Sequence, residues 1–404
     1  MREIVLLKIS GADKPGILHG ITEVLAEYDL PVLDVGQAVI HGILSLALII
    51  EIPPQFGSAP IFKDLLYKAN ELDVKLSFVP VTEERHEQWV ASQNRTRHLV
   101  TVLGREITAA QIHSISTVLL EAGLNIDTIQ RLSERMSQSG VENGRGCVEF
   151  TVLGAPADQS ALREAFMDIS RRLQVDVAFQ KDTIFRRHRR LIAFDMDSTL
   201  IAAEVIDELA RAAGVVREVS AITEAAMRGE LDFKQSLRRR VALLEGLDQA
   251  ALEEVAGTVP LTEGAERLIR TLKMLGYRIA ILSGGFTYVG RRLQAKLGVD
   301  YVHANELEIK DGKLTGRLVG DIVDGQMKAR LLKNIAQREN ISLQQTVAVG
   351  DGANDLPMLG VAGLGIAFRA KPVVKKGAEQ AISTLGLDGI LYLLGVRDRD
   401  ALDD

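Results

Sequence analysis

Two aspartates one residue apart, Asp195 and Asp197, close the apolar run in Leu191 to Leu200, LIAFDMDSTL. A short continuous apolar run of this kind reads as a buried parallel strand. The carboxyl end of such a strand is where open α/β sheets place their ligands. Like charges this close repel unless a cation or a shared proton offsets them. Three further stations follow. IAILSGGF puts Ser283 at a strand terminus, with Gly284 and Gly285 exposing backbone N–H groups suited to a phosphate. Lys328 begins a helix and supplies a point charge for phosphoryl oxygens. VAVGDGAND sets Asp351 and Asp355 behind another apolar strand, with glycines that permit tight turns.

Singly, each station has a blander reading. Ser198 and Thr199 would cap a following helix, Ser283-Gly284-Gly285 would be a plain turn, and Lys328 a surface lysine. Together they form a carboxylate pair, a Ser/Gly cradle, a lysine and a second acidic loop, in order along one alternating pattern. Chance does not readily assemble that set.

The elements that must position these groups are legible around them. Helical periodicity over 204–213, 217–228, 233–244 and 249–256, with no strand between, reads as a helical cap inserted after the first strand. Strands and helices then alternate: helix 265–275, strand 278–282, helix 286–297, helix 328–338, strands at 346–349 and 365–368. Asp311-Gly312 marks a hairpin between 306–310 and 313–318. Such alternation means a parallel sheet with helices on both faces.

The 404 residues predict two or three domains, and 47% hydrophobic with 25% charged residues is ordinary globular composition. A net charge of −6 offers no global basic surface, so no nucleic acid is expected. The lone Cys147 excludes an internal disulfide framework and fits a reducing cytosol. No signal peptide is read at the N-terminus, and the longest apolar stretch, ILSLALII at 43–50, is too short for a bilayer. The expectation is a cytoplasmic protein without a membrane partner.

Upstream of the cap-bearing half, residues 4–81 read βαββαβ, a ferredoxin-like order. The pattern recurs: Ile21, Val32 and Val35 match Ile115, Ile126 and Ile129 at one offset of 94, the mark of an internal duplication. A polar insertion, SERMSQSGVENGRG, separates the middle strands of the second copy. The stretch EERHEQWVASQNRTR, with the only tryptophan, Trp89, reads as a solvated connector, and so does the basic KDTIFRRHRR at 181–190. The domains expected are 1–84, 97–181 and 188–404, with the cap at about 203–260.

The two copies resemble paired ACT domains, regulatory modules that bind amino acids, on the strength of the loop Asp13 to Gly16, DKPG. That resemblance implies an effector at Asp13, Gly16 and Ile17. The second copy departs from it, having GREITAAQ at 104–111. DMDST, the strand-borne Ser283, Lys328 and GDGANDLPML resemble the four motifs of the haloacid dehalogenase (HAD) superfamily over about 188–404. Glu204, Met227, Phe233 and Arg240 narrow the likeness to its phosphoserine phosphatases. The resemblance implies a Rossmann-like HAD core and Mg²⁺ held by Asp195, the main-chain carbonyl of Asp197, and Asp351. It also implies Asp195 as nucleophile, Asp197 as acid and base, and Ser283, Gly284 and Lys328 on the phosphoryl oxygens. Asn354 and Asp355 would orient phosphate and metal waters, Glu204 the substrate ammonium, and Arg240 its carboxylate. The activity implied is hydrolysis of O-phospho-L-serine, with L-serine as effector and a homodimer as frame. Another small phosphomonoester such as phosphohomoserine, or a non-catalytic amino-acid sensor, are the competing readings.

Overall fold

The computed structural model describes residues 2–135 and 144–402, so part of the polar insertion lies outside the described residues. The chain forms two compact units, Met1–Arg95 and Thr96–Asp404.

In the first unit, β1 (Glu3–Ala12), α1 (Ile17–Glu27), β2 (Val32–Ile40), β3 (Ile43–Ile52), α2 (Ser58–Glu71) and β4 (Val74–Val81) realise the expected βαββαβ order. The antiparallel sheet runs β2-β3-β1-β4. Alternation decides which face is buried: Val5, Leu7 and Ile9 on β1 pack with Leu44, Leu46, Leu48 and Ile50 on β3, beneath Ile21, Leu25, Ile61 and Leu65 of the helices. The connector is not irregular chain. It is α3 (Glu83–Gln93), capped by the Thr82 hydroxyl and without a buried residue. It is solvated as expected, but helical because Thr82 and the acidic first turn satisfy its N-terminus.

The second unit opens with the second copy: β5 (Arg97–Gly104), α4 (Ala109–Glu121), β6 (Asn125–Arg131), β7 (Gly146–Leu153), α5 (Gln159–Leu173) and β8 (Asp176–Lys181). Its sheet order, β6-β7-β5-β8, repeats that of the first. Ile21 and Ile115 are both fully buried, while Val35 and Ile129 both face outward, 54% and 58% exposed, as a duplication demands. The copies differ in one respect. On β1 every second residue is at least partly exposed, whereas β5 is buried on both faces. Leu103, Cys147 and Ala178 of the second sheet join the core of the catalytic-type domain that follows. The seam is polar as well as apolar. Asp176 accepts hydrogen bonds from the Ser383 and Thr384 amides and the Thr384 hydroxyl, at 2.7, 2.8 and 2.6 Å. Arg267, 2% exposed, lies between Asp388 and Asp398, and Arg145 of the copy reaches the same Asp388. Removing one member of so buried a network would leave an unpaired charge.

The basic stretch at 181–190 is a correction. A 3₁₀ turn over Ile184–Arg187 buries Arg186 to 2% exposure, where it pairs with Glu149 and donates to the Leu393 and Tyr392 carbonyls. Arg189 is 8% exposed and donates to the Gln344 and Thr346 carbonyls. Guanidinium groups fill this seam because each satisfies several carbonyls at once.

Then come β9 (Leu191–Phe194) and the cap helices α6 (Val205–Ala213), α7 (Val216–Met227), α8 (Phe233–Ala242) and α9 (Gln249–Thr258). Next follow α10 (Ala265–Met274), β10 (Arg278–Phe286), α11 (Thr287–Leu297), β11 (Tyr301–Lys310) and β12 (Lys313–Val319). The domain continues through α12 (Gly325–Arg338), β13 (Thr346–Gly350), α13 (Leu356–Val361), β14 (Leu364–Phe368) and β15 (Gln380–Ile382). The seven-stranded sheet runs β12-β11-β10-β9-β13-β14-β15 and is parallel except for the hairpin strand β12. β9 lies at its centre, flanked by β10 and β13, so the three strands that carry the stations are neighbours. The cap joins the core through two crossing segments. Ile201 bridges Leu261, the Ala202 amide donates to Pro260 and the Thr262 amide to Leu200. Glu263, just beyond this hinge, is held by Arg105 of the second copy and by Arg369, at 2.7 and 2.8 Å.

Candidate active site

Asp195 directly follows β9, and its Oδ1 accepts the Met196 amide at 2.7 Å. Lys328 reaches it from α12. Sequence periodicity starts that helix at Lys328, but the structure starts it earlier, with Asp324 capping the Met327 amide. This sets Lys328 one turn in, wholly buried, with Nζ 2.9 Å from Asp195 and 2.7 Å from Asp355. Burial alone would pull the Lys328 ammonium down, but Asp195 and Asp355 outweigh it and raise its pKa.

Asp351 and Asp355 follow β13. Carboxylate oxygens of Asp195, Asp351 and Asp355 lie within 4.8 Å of one another. The donor set is all oxygen and anionic, which fits a hard divalent cation. The Asp197 carboxylate is not part of this trio. Burial and the Asp195 charge push Asp351 up to about 6, and the same two causes raise Asp355 despite Lys328. Thr199, for which a helix cap was only the blander reading, donates to Asp351 at 3.0 Å.

Asp197 stands apart chemically. Its Oδ1 is buried with no hydrogen-bond partner. Burial, then Glu204 and Asp195, raise its pKa well above the usual carboxylate range. The glycines of SGGF serve two different close approaches. A Cβ on Gly285 would sit 2.5 Å from Asp197 Oδ2, and one on Gly284 would sit 2.8 Å from the Phe233 ring. Ser283 is fully buried and accepts the Gly285 amide at 2.9 Å, leaving its hydroxyl proton uncommitted.

On the cap side, Ser198 holds a left-handed conformation (φ 56°) and donates to Glu204 at 2.6 Å. Burial raises the Glu204 pKa, with Asp195 and Asp207 adding to it and Ser198 and Arg240 opposing. Arg240, from α8, has a buried Nε with no partner. Burial lowers its pKa, against the fields of Asp207, Glu204 and Asp197. Asn354 lies in the 3₁₀ turn Ala353–Asp355, beside the trio. Met227 is not gathered in; it is 68% exposed at the end of α7. Asp13, Gly16 and Ile17 belong to the first unit, where Gly16 (φ 93°) caps α1 with no side-chain hydrogen bond.

Asn305 was not found from sequence. Buried in β11, it donates from Nδ2 to the Gly284 carbonyl at 2.7 Å and accepts the Val323 amide at 2.8 Å. It thereby pins the irregular end of β10 around Ser283 to the loop before α12. Nothing in the local sequence marks it, because β11 carries several other polar residues. Asn305→Leu leaves both backbone groups unpaired, and we expect a loss of about 1–3 kcal/mol, read as a lower urea midpoint.

The arrangement is a trio of carboxyl groups beside a shielded carboxyl whose pKa is raised, with a set of donors, under a lid bearing one carboxylate and one guanidinium. Comparison with known proteins agrees with it. A haloacid dehalogenase-like hydrolase family model matches residues 192–360, and ACT domain models match 3–79 and 96–180. Phosphoserine phosphatase of Streptomyces coelicolor is 44% identical over 97% of this chain and 92% of its own length. Phosphoserine phosphatase SerB2 of Mycobacterium tuberculosis is 41% identical over 97% and 93%. Among solved structures, a HAD family hydrolase of Salmonella enterica serovar Typhi aligns with TM-score 0.62 and 32% identity, over 74% of this chain and 98% of that one. An unliganded probable phosphoserine phosphatase of Vibrio cholerae aligns at 0.59 and 35%, over 76% and 88%. On this site and these full-length likenesses, the chain belongs to the phosphoserine phosphatase family of HAD hydrolases, in a form that carries two N-terminal ACT domains.

Proposed function

We propose that this chain hydrolyses O-phospho-L-serine to L-serine and phosphate through an aspartyl-phosphate. The observation that carries the reading is the pairing of Asp195, anchored at the strand end, with Asp197, whose Oδ1 is buried without a partner. An Asp195 oxygen attacks phosphorus as the bond from phosphorus to the seryl oxygen breaks. Asp197, held protonated by burial, gives its proton to that leaving oxygen. It then takes a proton from the water that attacks the same phosphorus, and the Asp195–phosphorus bond breaks to free phosphate. Ser283, the Gly284 amide and Lys328 hold the phosphoryl oxygens, where positioned donors do most of the catalytic work. Asn354 orients the phosphate from the other loop. Asp195, Asp351 and Asp355, with the Asp197 carbonyl, would hold Mg²⁺, which supplies charge neutralisation at the phosphoryl group. Glu204 takes the substrate's ammonium and Arg240 its carboxylate, with Phe233 closing over Gly284. Phosphate release measured across phosphoserine, phosphohomoserine, phosphothreonine and a sugar phosphate, with and without Mg²⁺, tests this. Equal rates on all four, or none on any, would overturn it.

Metal binding needs ionised carboxylates. Asp351 sits at about 6, raised by burial and Asp195, so protons compete with the cation as pH falls through that value. We therefore expect Mg²⁺ to raise the melting temperature at pH 7.5 and to do so much less at pH 5.

We read the N-terminal modules as L-serine sensors in a cytoplasmic homodimer. The α1 N-terminus has no side-chain cap and can receive a carboxylate, whereas α4 is closed by the reciprocal Thr108–Gln111 capping box. Edge strand β2 exposes Val32, Val35, Val39 and Ile40, an unprotected edge suited to a second copy. A Cβ added at Gly16 meets no neighbour within 4 Å; the penalty for Gly16→Val includes the positive φ, about 1–2 kcal/mol for a residue with a Cβ. Serine inhibition of that variant should retain only its competitive part, the regulatory coupling of about 1–3 kcal/mol being lost. Identical competitive curves in variant and wild type would return the modules to a dimerisation role.

A further inference from the structure

Arg187, His188, Arg189 and Arg190 line a cleft of about 680 Å³. It opens at the amino ends of the central strands, where Leu191 of β9 pairs with Arg278 of β10 and with Thr346 of β13. The Asp195 site lies beyond the other end of β9, a strand spanning roughly 13 Å. The remaining walls are the turn Leu275 to Arg278, Glu339 and Ile341 after α12, and Leu394 to Val396 with Asp400.

The lining is unbalanced. Four arginines, Arg187, Arg189, Arg190 and Arg278, line it against two acidic residues, Glu339 and Asp400. Glu339 is already engaged by Arg278 and by the Tyr301 hydroxyl, and Asp400 lies 3.7 Å from Arg399. The exposed side chains of Arg187 and Arg190 enter no ion pair or side-chain hydrogen bond among the described residues. Arg189 is 8% exposed, and its Nε–H is buried without a partner although Nη1 serves two carbonyls. Glu379 is the carboxylate whose field acts on it. The Tyr277 phenol, pushed up to about 12 by burial, stays a donor at neutral pH. The groups left free around this cleft are therefore donors, in a chain whose net charge is −6.

We propose that this cleft is a second anion site, taking a small molecule with two or more linked phosphate groups. Guanidinium forks match phosphate oxygens bidentately. The volume lies within the range of small-molecule sites, and a single phosphate would leave most of it empty. Two arginines without counter-ions, flanking a third with an idle donor, call for more than one negative charge. Low-dielectric walls focus that local field against the overall negative charge of the chain. The site is independent of the phosphatase chemistry, because none of its residues belongs to the Asp195 group.

Titration calorimetry of the full chain with inorganic tripolyphosphate, at low ionic strength and without divalent metal, tests the assignment. Wild type should bind at one site that Lys328→Ala leaves intact. Arg187→Ala/Arg190→Ala should weaken binding at least about tenfold while phosphatase activity stays within about twofold. Arg171→Ala/Arg172→Ala, an equal charge change on α5, should leave binding within about twofold. Should the first pair misfold, Arg190→Gln carries the same comparison. Absence of binding, loss in Lys328→Ala with retention in the arginine pair, or equal loss in the α5 pair would each overturn the proposal. These mean, respectively, no site, binding at Lys328 alone, and attraction by net charge alone.

Discussion

Asp195→Asn is expected to lower phosphate release at least about a thousandfold, roughly 4 kcal/mol of lost transition-state stabilisation. Asparagine keeps the shape of the side chain and can still accept the Met196 amide, so the turn after β9 should persist. What disappears is the nucleophile, together with one of the three carboxylates grouped for a cation. Lys328 keeps Asp355 at 2.7 Å, so its buried ammonium is not stranded. The measurement is single-turnover phosphate release, with a thermal melt to show the variant folded. A folded Asp195→Asn protein that still releases phosphate appreciably would remove the aspartyl-phosphate mechanism, leaving Asp195 only a metal ligand.

A second large effect concerns specificity. Arg240→Ala should lose activity on phosphoserine by roughly ten- to a hundredfold, the equivalent of about 1.5–3 kcal/mol for a charge-assisted bidentate pair. Activity on p-nitrophenyl phosphate, which has no carboxylate to clamp, should change by no more than a few fold. The position of Arg240 motivates this: it is in the field of Glu204, Asp207 and Asp197, and its buried Nε has no partner. Equal losses on both substrates would make Arg240 a counter-ion for Glu204 and Asp207 rather than a substrate clamp.

The stations of the site were legible because each lies within a few residues of a strand end or of a helix start. An apolar run followed by a carboxylate places that carboxylate without reference to the rest of the chain, as at Asp195 and Asp351. Residues acting across the fold were not legible. Asn305 looks like any strand polar residue until β11 lies beside Gly284. Thr199 looks like a cap until β13 brings Asp351 within 3.0 Å of it. Lys328 was found, but its place one turn inside α12 depends on the Asp324 cap, a signal weaker than periodicity. The basic stretch at 184–190 was misread for a related reason. Charge density suggests solvent, and only the carbonyls of Leu393, Tyr392, Gln344 and Thr346 reveal why Arg186 and Arg189 are buried.

By itself, the order of residues determined the two βαββαβ copies, the alternating core with its inserted helices, and the four groups that could handle a phosphate. Each of these follows from local periodicity, turn chemistry and spacing, which act over a few residues. Tertiary structure alone decided that β5 of the second copy is buried on both faces while β1 keeps one open. It alone separated Asp197, its pKa raised by burial, from the trio that could hold a metal, and it gathered the arginines after β8 into a cleft. The physical reason is the same in each case. Burial and the charges facing a group set its chemistry, and both come from segments far away in sequence.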